Sequence, residues 1–334
     1  MNIKPSHIFI IISATLFWQK ANSVQEFQKE TCQDPAITFI DEVSLNNISD
    51  KEEGFFDSIF NFIFGEDELA IQKPFNTYVS DNGLIFIVDQ GNKSLIVIDK
   101  AENEIQNLLP ENFKCESPVG LCSIEDGLVF TDSQTDQVWK YDFENEEIAK
   151  LNSSLKQPTG IAYIKNNKEI WVCETEEHRI VRLDRTGKQL GIIGQRGLGN
   201  SEFNFPTFIW ADNRGKVYIN DSMNFRIQIF SEEGKFIRSF GKAGDGSGDF
   251  SRPKGIATDS FGHIYVVDAL FNNVQIFDQE GQLLYVLGNQ GIQKGEFWLP
   301  AGLYIDNHNR IYVADSFNSR IQIFQLICDG RSKD

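Results

Sequence analysis

Three stretches of this chain line up almost without gaps: Pro206 to Phe230 (PTFIWADNRGKVYINDSMNFRIQIF), Pro253 to Phe277 (PKGIATDSFGHIYVVDALFNNVQIF) and Pro300 to Phe324 (PAGLYIDNHNRIYVADSFNSRIQIF). Their prolines are evenly spaced, 47 residues apart. Three weaker copies precede them, opening at Pro74, Pro118 and Pro158, so that six of the nine prolines hold one repeat position. A period in this range means a repeated supersecondary unit, and it constrains the fold before any single residue does.

Each copy has one grammar. An apolar stretch (GIATD) leads through a turn (SFGH) into an alternating β-branched and aromatic stretch (IYVVD), a second turn precedes VQIF, and a fourth run follows, as in Lys235-FIRSFG. Short strands of period two separated by turn residues predict a four-stranded antiparallel sheet. One such sheet cannot bury both faces alone, whereas copies packed face to face in a closed ring can, and the ring limits exposed edges. The expected fold is therefore all-β, a six-bladed β-propeller over residues 71–327.

The pattern Pro-x-Gly-Ile-Ala…Asp…Gly-x-Ile-Tyr-Val-x-Asp…Asn-x-Arg-Ile-Gln-x-Phe resembles the NHL repeat, which occurs in many bacterial exported propellers and in TRIM-type eukaryotic proteins. The resemblance is closest over 206–324, good over 158–203 and degenerate over 74–152, about three quarters of the chain in all. It implies six blades and no single activity.

The sixth copy stops after three strands, near Ile327. Residues 37–43 alternate suitably and are expected to pair with 320–326, supplying the missing strand and latching the ring. That arrangement would bring Cys32 near Cys328. A bond there would close almost the whole chain, worth on the order of 5 kcal/mol in the loop-entropy model. Cys122 and Cys173 read as buried apolar fillers. Cys115 lies in a connecting loop, with Cys122 as a possible partner.

Residues 1–23 read as an export signal: Lys4 and His7 precede an apolar run from Ile8 to Trp18, and Ala21 to Ser23 offer small residues for cleavage. The run is too short for a spanning helix, so no stable membrane span is expected after cleavage. Residues 24–70 hold the latch strand and a Phe-rich segment, 54–64, expected to form a short helix that caps the propeller or docks a partner. Residues 328–334 read as a tail. With 48 acidic against 31 basic residues the formal charge is −17, which disfavours nucleic acid as a partner, because phosphate contacts need clustered Lys and Arg.

The second strand of each copy ends in an acid: Asp89, Asp132, Glu174, Asp221, Asp268 and Asp315. Such a circle invites a metal or catalytic reading. In three copies, however, an arginine follows five residues later (Arg179, Arg226, Arg320), and an acid can accept backbone N–H groups in a turn, so a structural role is expected. The family resemblance also brings in zinc-dependent lyases and calcium-dependent lactonases. His178, His263 and His308 fall at opposite ends of their blades and cannot converge on one ion, and no cofactor is expected. The glycine-rich stretches from Gly194, Gly241 and Gly288 recur between copies and do not feed a helix, so they read as connections rather than phosphate loops. Asp245 to Asp249 faintly suggests a calcium loop, but its twelfth position is Ile256 rather than Glu.

Met223, Phe225, Phe271 and Phe317, in turns between second and third strands, fall with Trp298 at one end of the propeller. Grouped exposed apolar side chains mark a contact surface. The expected function is an exported, non-catalytic binding propeller presenting this loop face to a protein or an extended ligand. The alternative is a metal-dependent propeller enzyme of lyase or lactonase type.

Overall fold

The computed structural model describes residues 35–44, 70–152 and 154–328. The Phe-rich segment, the export signal, Cys32 and the tail after Cys328 lie outside the described residues, and with Cys32 the bond expected between it and Cys328. Among the described residues no helix is long and apolar enough to cross a membrane.

The described strands form six four-stranded antiparallel sheets arranged as a propeller. Blade 1 runs from the innermost strand outward as β2 (Pro74–Val79), β3 (Ile85–Asp89), β4 (Ser94–Asp99) and β5 (Glu104–Asn107). Blade 2 is β6 (Pro118–Ile124), β7 (Gly127–Asp132), β8 (Gln137–Asp142) and β9 (Ile148–Asn152), and blade 3 is β10 (Pro158–Ile164), β11 (Glu169–Glu174), β12 (Arg179–Leu183) and β13 (Gln189–Ile193). Blade 4 is β14 (Pro206–Ala211), β15 (Lys216–Asp221), β16 (Arg226–Ser231) and β17 (Phe236–Phe240). Blade 5 is β18 (Pro253–Thr258), β19 (Ile264–Asp268), β20 (Asn273–Phe277) and β21 (Leu283–Leu287).

Blade 6 consists of β22 (Leu303–Ile305), β23 (Arg310–Asp315) and β24 (Arg320–Cys328), completed by β1 (Pro35–Val43) from the opposite end of the chain. The latch pairs Ile37 with Leu326 and Val43 with Ile321, with one bulge between Phe39 and Asp41. Phe39 meets Phe324 edge to face at 5.8 Å, and Arg320 Nη1 reaches Glu42 Oε2 at 3.1 Å.

Burial explains why the pattern of period two works. The second strands are buried on both faces, whereas outermost strands such as β5 are largely exposed. Successive side chains of a strand enter opposite blade–blade interfaces. There is accordingly one apolar cluster per interface, including Val88, Leu95, Leu128 and Phe130 between blades 1 and 2, and Tyr265, Val267, Ile311 and Val313 between blades 5 and 6.

The glycine-rich linkers serve the same packing. Phe203, Phe250 and Phe297 are fully buried where each linker ends. Gly241 has φ +95°, and a Cβ there would stand 2.3 Å from the Phe250 ring, so the linker can wrap its aromatic plug only with glycine at that point.

Candidate functional site

The antiparallel register gives the propeller two unlike ends. Turns between second and third strands share one end with the linkers between blades, here termed the linker face. Turns between first and second strands lie on the opposite face.

The six repeated acids sit on the linker-face side, almost wholly buried. Asp89 accepts the backbone N–H groups of Gln72 and Lys73 from the linker and of Gly91 and Asn92 from its own turn. Asp132 and Asp268 do the same in blades 2 and 5. In the other three blades arginine joins in: Arg179 Nε to Glu174 at 2.6 Å, Arg226 Nε to Asp221 at 2.7 Å and Arg320 Nε to Asp315 at 2.8 Å. Asp221 also accepts from Asn204 N–H, Asn224 and Gln228. These oxygens tie each turn to the incoming linker, as buried polar groups must be tied.

The histidines divide between the two ends. His178 lies in the linker-face turn of blade 3, where Phe205 N–H donates to its Nδ1 at 3.0 Å. Burial and nearby Arg196 hold its pKa below the ordinary value. His263 pairs with Asp259 at 2.7 Å on the opposite face of blade 5, and His308 lies in the equivalent turn of blade 6. Among the described residues no group of three or more His, Cys, Asp or Glu is placed to hold a metal ion.

The cysteines correct two expectations. Cys115, Cys122 and Cys173 are all free thiols. Cys115 packs between blades 1 and 2 while Cys122 packs between blades 2 and 3, on the other side of β6, so the two cannot meet. Cys173 is fully buried, but Cys122 is only half-buried and borders the central channel.

Of the aromatic candidates on the linker face, Met223 is 57% exposed, Phe317 51% and Trp298 45%. Trp298 and Phe317 lie 6.1 Å apart, and Lys73 Nζ stands 5.5 Å over the Phe317 ring. Phe225 and Phe271 are half-buried instead. Phe225 adopts φ 54° after the 3-10 turn Ser222–Asn224 and packs against the cluster between blades 4 and 5. Sequence reasoning missed Leu198, Leu270 and Ile292, all more than half exposed at the same end. The apolar surface is one-sided: it covers blades 4 to 6, while the corresponding turns of blades 1 to 3 carry Gln90, Asn92, Gln134, Glu176 and Glu177.

Contacts between blades that are not neighbours reveal what fills the channel. Phe75 of blade 1 stacks on Phe208 of blade 4 at 5.7 Å with 23° between planes, and Lys254 Nζ of blade 5 stands 5.0 Å over the Phe75 ring. The Phe pair divides the channel. Toward the opposite face lies a cavity of about 530 Å³, within the range of small-molecule sites. Phe208 contributes to its floor, and its wall includes an arc of Trp210, Tyr304 and Tyr78, edge to face at 5.7 and 5.4 Å. Across from the arc stand the smaller Cys122 and Ala162. Three rim carboxylates, Asp212, Asp259 and Asp306, are held by their own turns and by Tyr218, Tyr265 and Tyr312 hydroxyls. The arc was visible in the aligned copies only as a repeated aromatic five residues into the innermost strand.

A family model for the NHL repeat matches residues 297–324, and one described as a six-bladed β-propeller matches residues 209–269. No curated protein matches by sequence. Among solved structures, an auxiliary nutrient binding protein from Bacteroides ovatus superposes with a TM-score of 0.64 at 13% identity, covering 88% of this chain and 77% of that one. Virginiamycin B lyase from Staphylococcus aureus, solved with quinupristin, gives 0.59 at 18% identity over 88% of this chain and all of its own. Hydrazine synthase from Kuenenia stuttgartiensis gives 0.53 at 14%, covering 75% and 76%. At these identities the likeness speaks for the fold alone: the chain is a six-bladed propeller carrying NHL repeats.

Proposed function

We propose that this chain is an exported, non-catalytic binding propeller, and that its linker face over blades 4 to 6 takes a protein or an extended ligand. The observation that carries the reading is the one-sided exposure of Leu198, Met223, Leu270, Ile292, Trp298 and Phe317 on loops of one end. Loop residues presented by a rigid scaffold are where binding concentrates. The groups that would serve catalysis on that end, the six acids and His178, are occupied in holding turns to linkers. Export is supported by the basic and apolar start of the chain. Among solved structures of similar fold the Bacteroides ovatus protein is a binding protein by its description and virginiamycin B lyase an enzyme, so the reading rests on the linker face and not on the likeness.

A photo-crosslinking residue placed at Phe317 in the producing organism should yield a defined adduct. The same residue at Asn145, in the turn between β8 and β9 on the opposite face, should yield none. Equal capture from both positions, or none from Phe317, would sink the proposal. Edman sequencing of the mature protein, beginning near Val24, checks the export step.

A further inference from the structure

At the linker-face start of each blade one residue follows the repeat proline: Phe75, Val119, Thr159, Thr207, Lys254 and Ala301. Five of these positions are uncharged. Blades 3 and 4 satisfy theirs locally, Thr159 with Thr175 and Thr207 with Ser222 through paired hydroxyls. Blade 5 instead sets Lys254 opposite a buried Ala269, which offers no polar side chain. The half-buried ammonium reaches across the channel to the Phe75 face.

Among the described residues its ammonium has no carboxylate within ion-pair distance. The charged residues that bear on it are Arg252, just before β18, and Lys73, just before β2, both cationic. Three cationic residues thus stand at the linker-face ends of the innermost strands of blades 1 and 5, in a chain whose formal charge is −17. A half-buried charge whose one neighbour is an aromatic face is costly, and a ring that meets the same position with hydroxyl pairs elsewhere has no structural need of one here. Below Lys254 the Phe75–Phe208 pair closes the channel, so an anion approaches from the linker face and finds an apolar floor beneath the ammonium.

We propose that Lys254, flanked by Lys73 and Arg252, is an anion site at the centre of the linker face, taking a carboxylate carried on an apolar body. The inference rests on the linker face being the binding face and names the chemistry its ligand must present. The carboxylate accepts from the ammonium, and its apolar body lies along Phe75. Burial and the two neighbouring cations lower the Lys254 pKa to about 8, so the charge that holds the anion is present at neutral pH and lost as pH rises through that value.

The probe is benzoate, with benzamide as its uncharged counterpart, and the readout is thermal unfolding of the mature protein. Benzoate should raise the melting temperature with concentration at pH 7 and lose most of that effect at pH 9.5, while benzamide does nothing at either pH. Lys254→Met and, as a milder change, Lys254→Gln should both abolish the benzoate shift. Competitive acetylation of wild-type protein read by mass spectrometry gives a second measure, in which benzoate should slow labelling of Lys254 at least threefold relative to Lys235. Equal shifts from benzoate and benzamide, a benzoate shift that survives both substitutions, or unprotected Lys254 would each overturn the site. The Met223→Ser/Phe317→Ser double variant separates the two readings: benzoate binding should persist in it even where partner capture is lost.

Discussion

Blades 4 to 6 and blades 1 to 3 build the same four-stranded sheets by different local means. In the regular half every linker wraps a buried phenylalanine behind a left-handed glycine, and two of the three acids are clamped by arginine. In the degenerate half the linkers leading into blades 2 and 3 bury Leu109 and Leu155 instead, and Asp89 and Asp132 make do with backbone N–H groups. What the halves share is the doubly buried second strand ending in an acid. That shared part is the minimum the blade needs. The surplus regularity of the second half comes with its exposed apolar surface, so the more regular half is also the one that leaves more apolar side chains in water.

The comparison can be broken at the acids. Asp221→Ala takes the carboxylate from Arg226, Asn224 and Gln228 at once and leaves them only their linker carbonyls, and breaking a buried ion pair from one side costs about 3–5 kcal/mol. Asp89→Ala leaves only neutral N–H groups unsatisfied, about 1–3 kcal/mol. Urea unfolding of both variants should show Asp221→Ala as the larger loss; the reverse order would mean that the arginine clamp adds nothing.

The linker plugs sharpen it next. Phe250→Ala should lower stability by about 3–4 kcal/mol and Leu155→Ala by about 2–3 kcal/mol, since the cavity left scales with the side chain removed. Equal losses would mean that both linkers collapse around the gap equally well.

The smallest effect sits on the seam between the halves, where His178 of blade 3 receives the N–H of Phe205 from the linker into blade 4. Its folded-state pKa is depressed, so between that value and the ordinary one the unfolded chain binds the extra proton. Stability therefore falls as pH drops below about 6.5 and is regained above it. His178→Gln should flatten the slope of melting temperature between pH 7.5 and 5.5.

Much of this was legible in the chain. Six prolines located six blades, period two located their strands, and the shortfall of the last copy pointed to the strand that completes it. The acids were legible in position because a tight turn brings residue five back beside residue zero. Side-chain destination was harder to read. Alternation says that Cys122 and Trp210 leave the strand on a given side, but not that they border the channel as well as the next blade. Leu198 and Ile292 sit in loops whose glycines promise only a connection, and nothing local marks a loop leucine as uncovered. Phe225 looked like a surface aromatic because its turn is on the surface, yet its left-handed backbone turns the ring down between blades. Nothing in the sequence singled out Lys254, because the ring it meets belongs to a strand two blades away.

The latch has a consequence in time. β1 is made before every other strand described, and its partner β24 is made last, so the first strand stays without its neighbours through the synthesis of the entire ring. Contacts of such large sequence separation form slowly. During that interval an unpaired edge travels with an otherwise growing stack of blades, and an open edge invites pairing with other chains. The passage most in need of a guardian is the one before the chain's two ends meet.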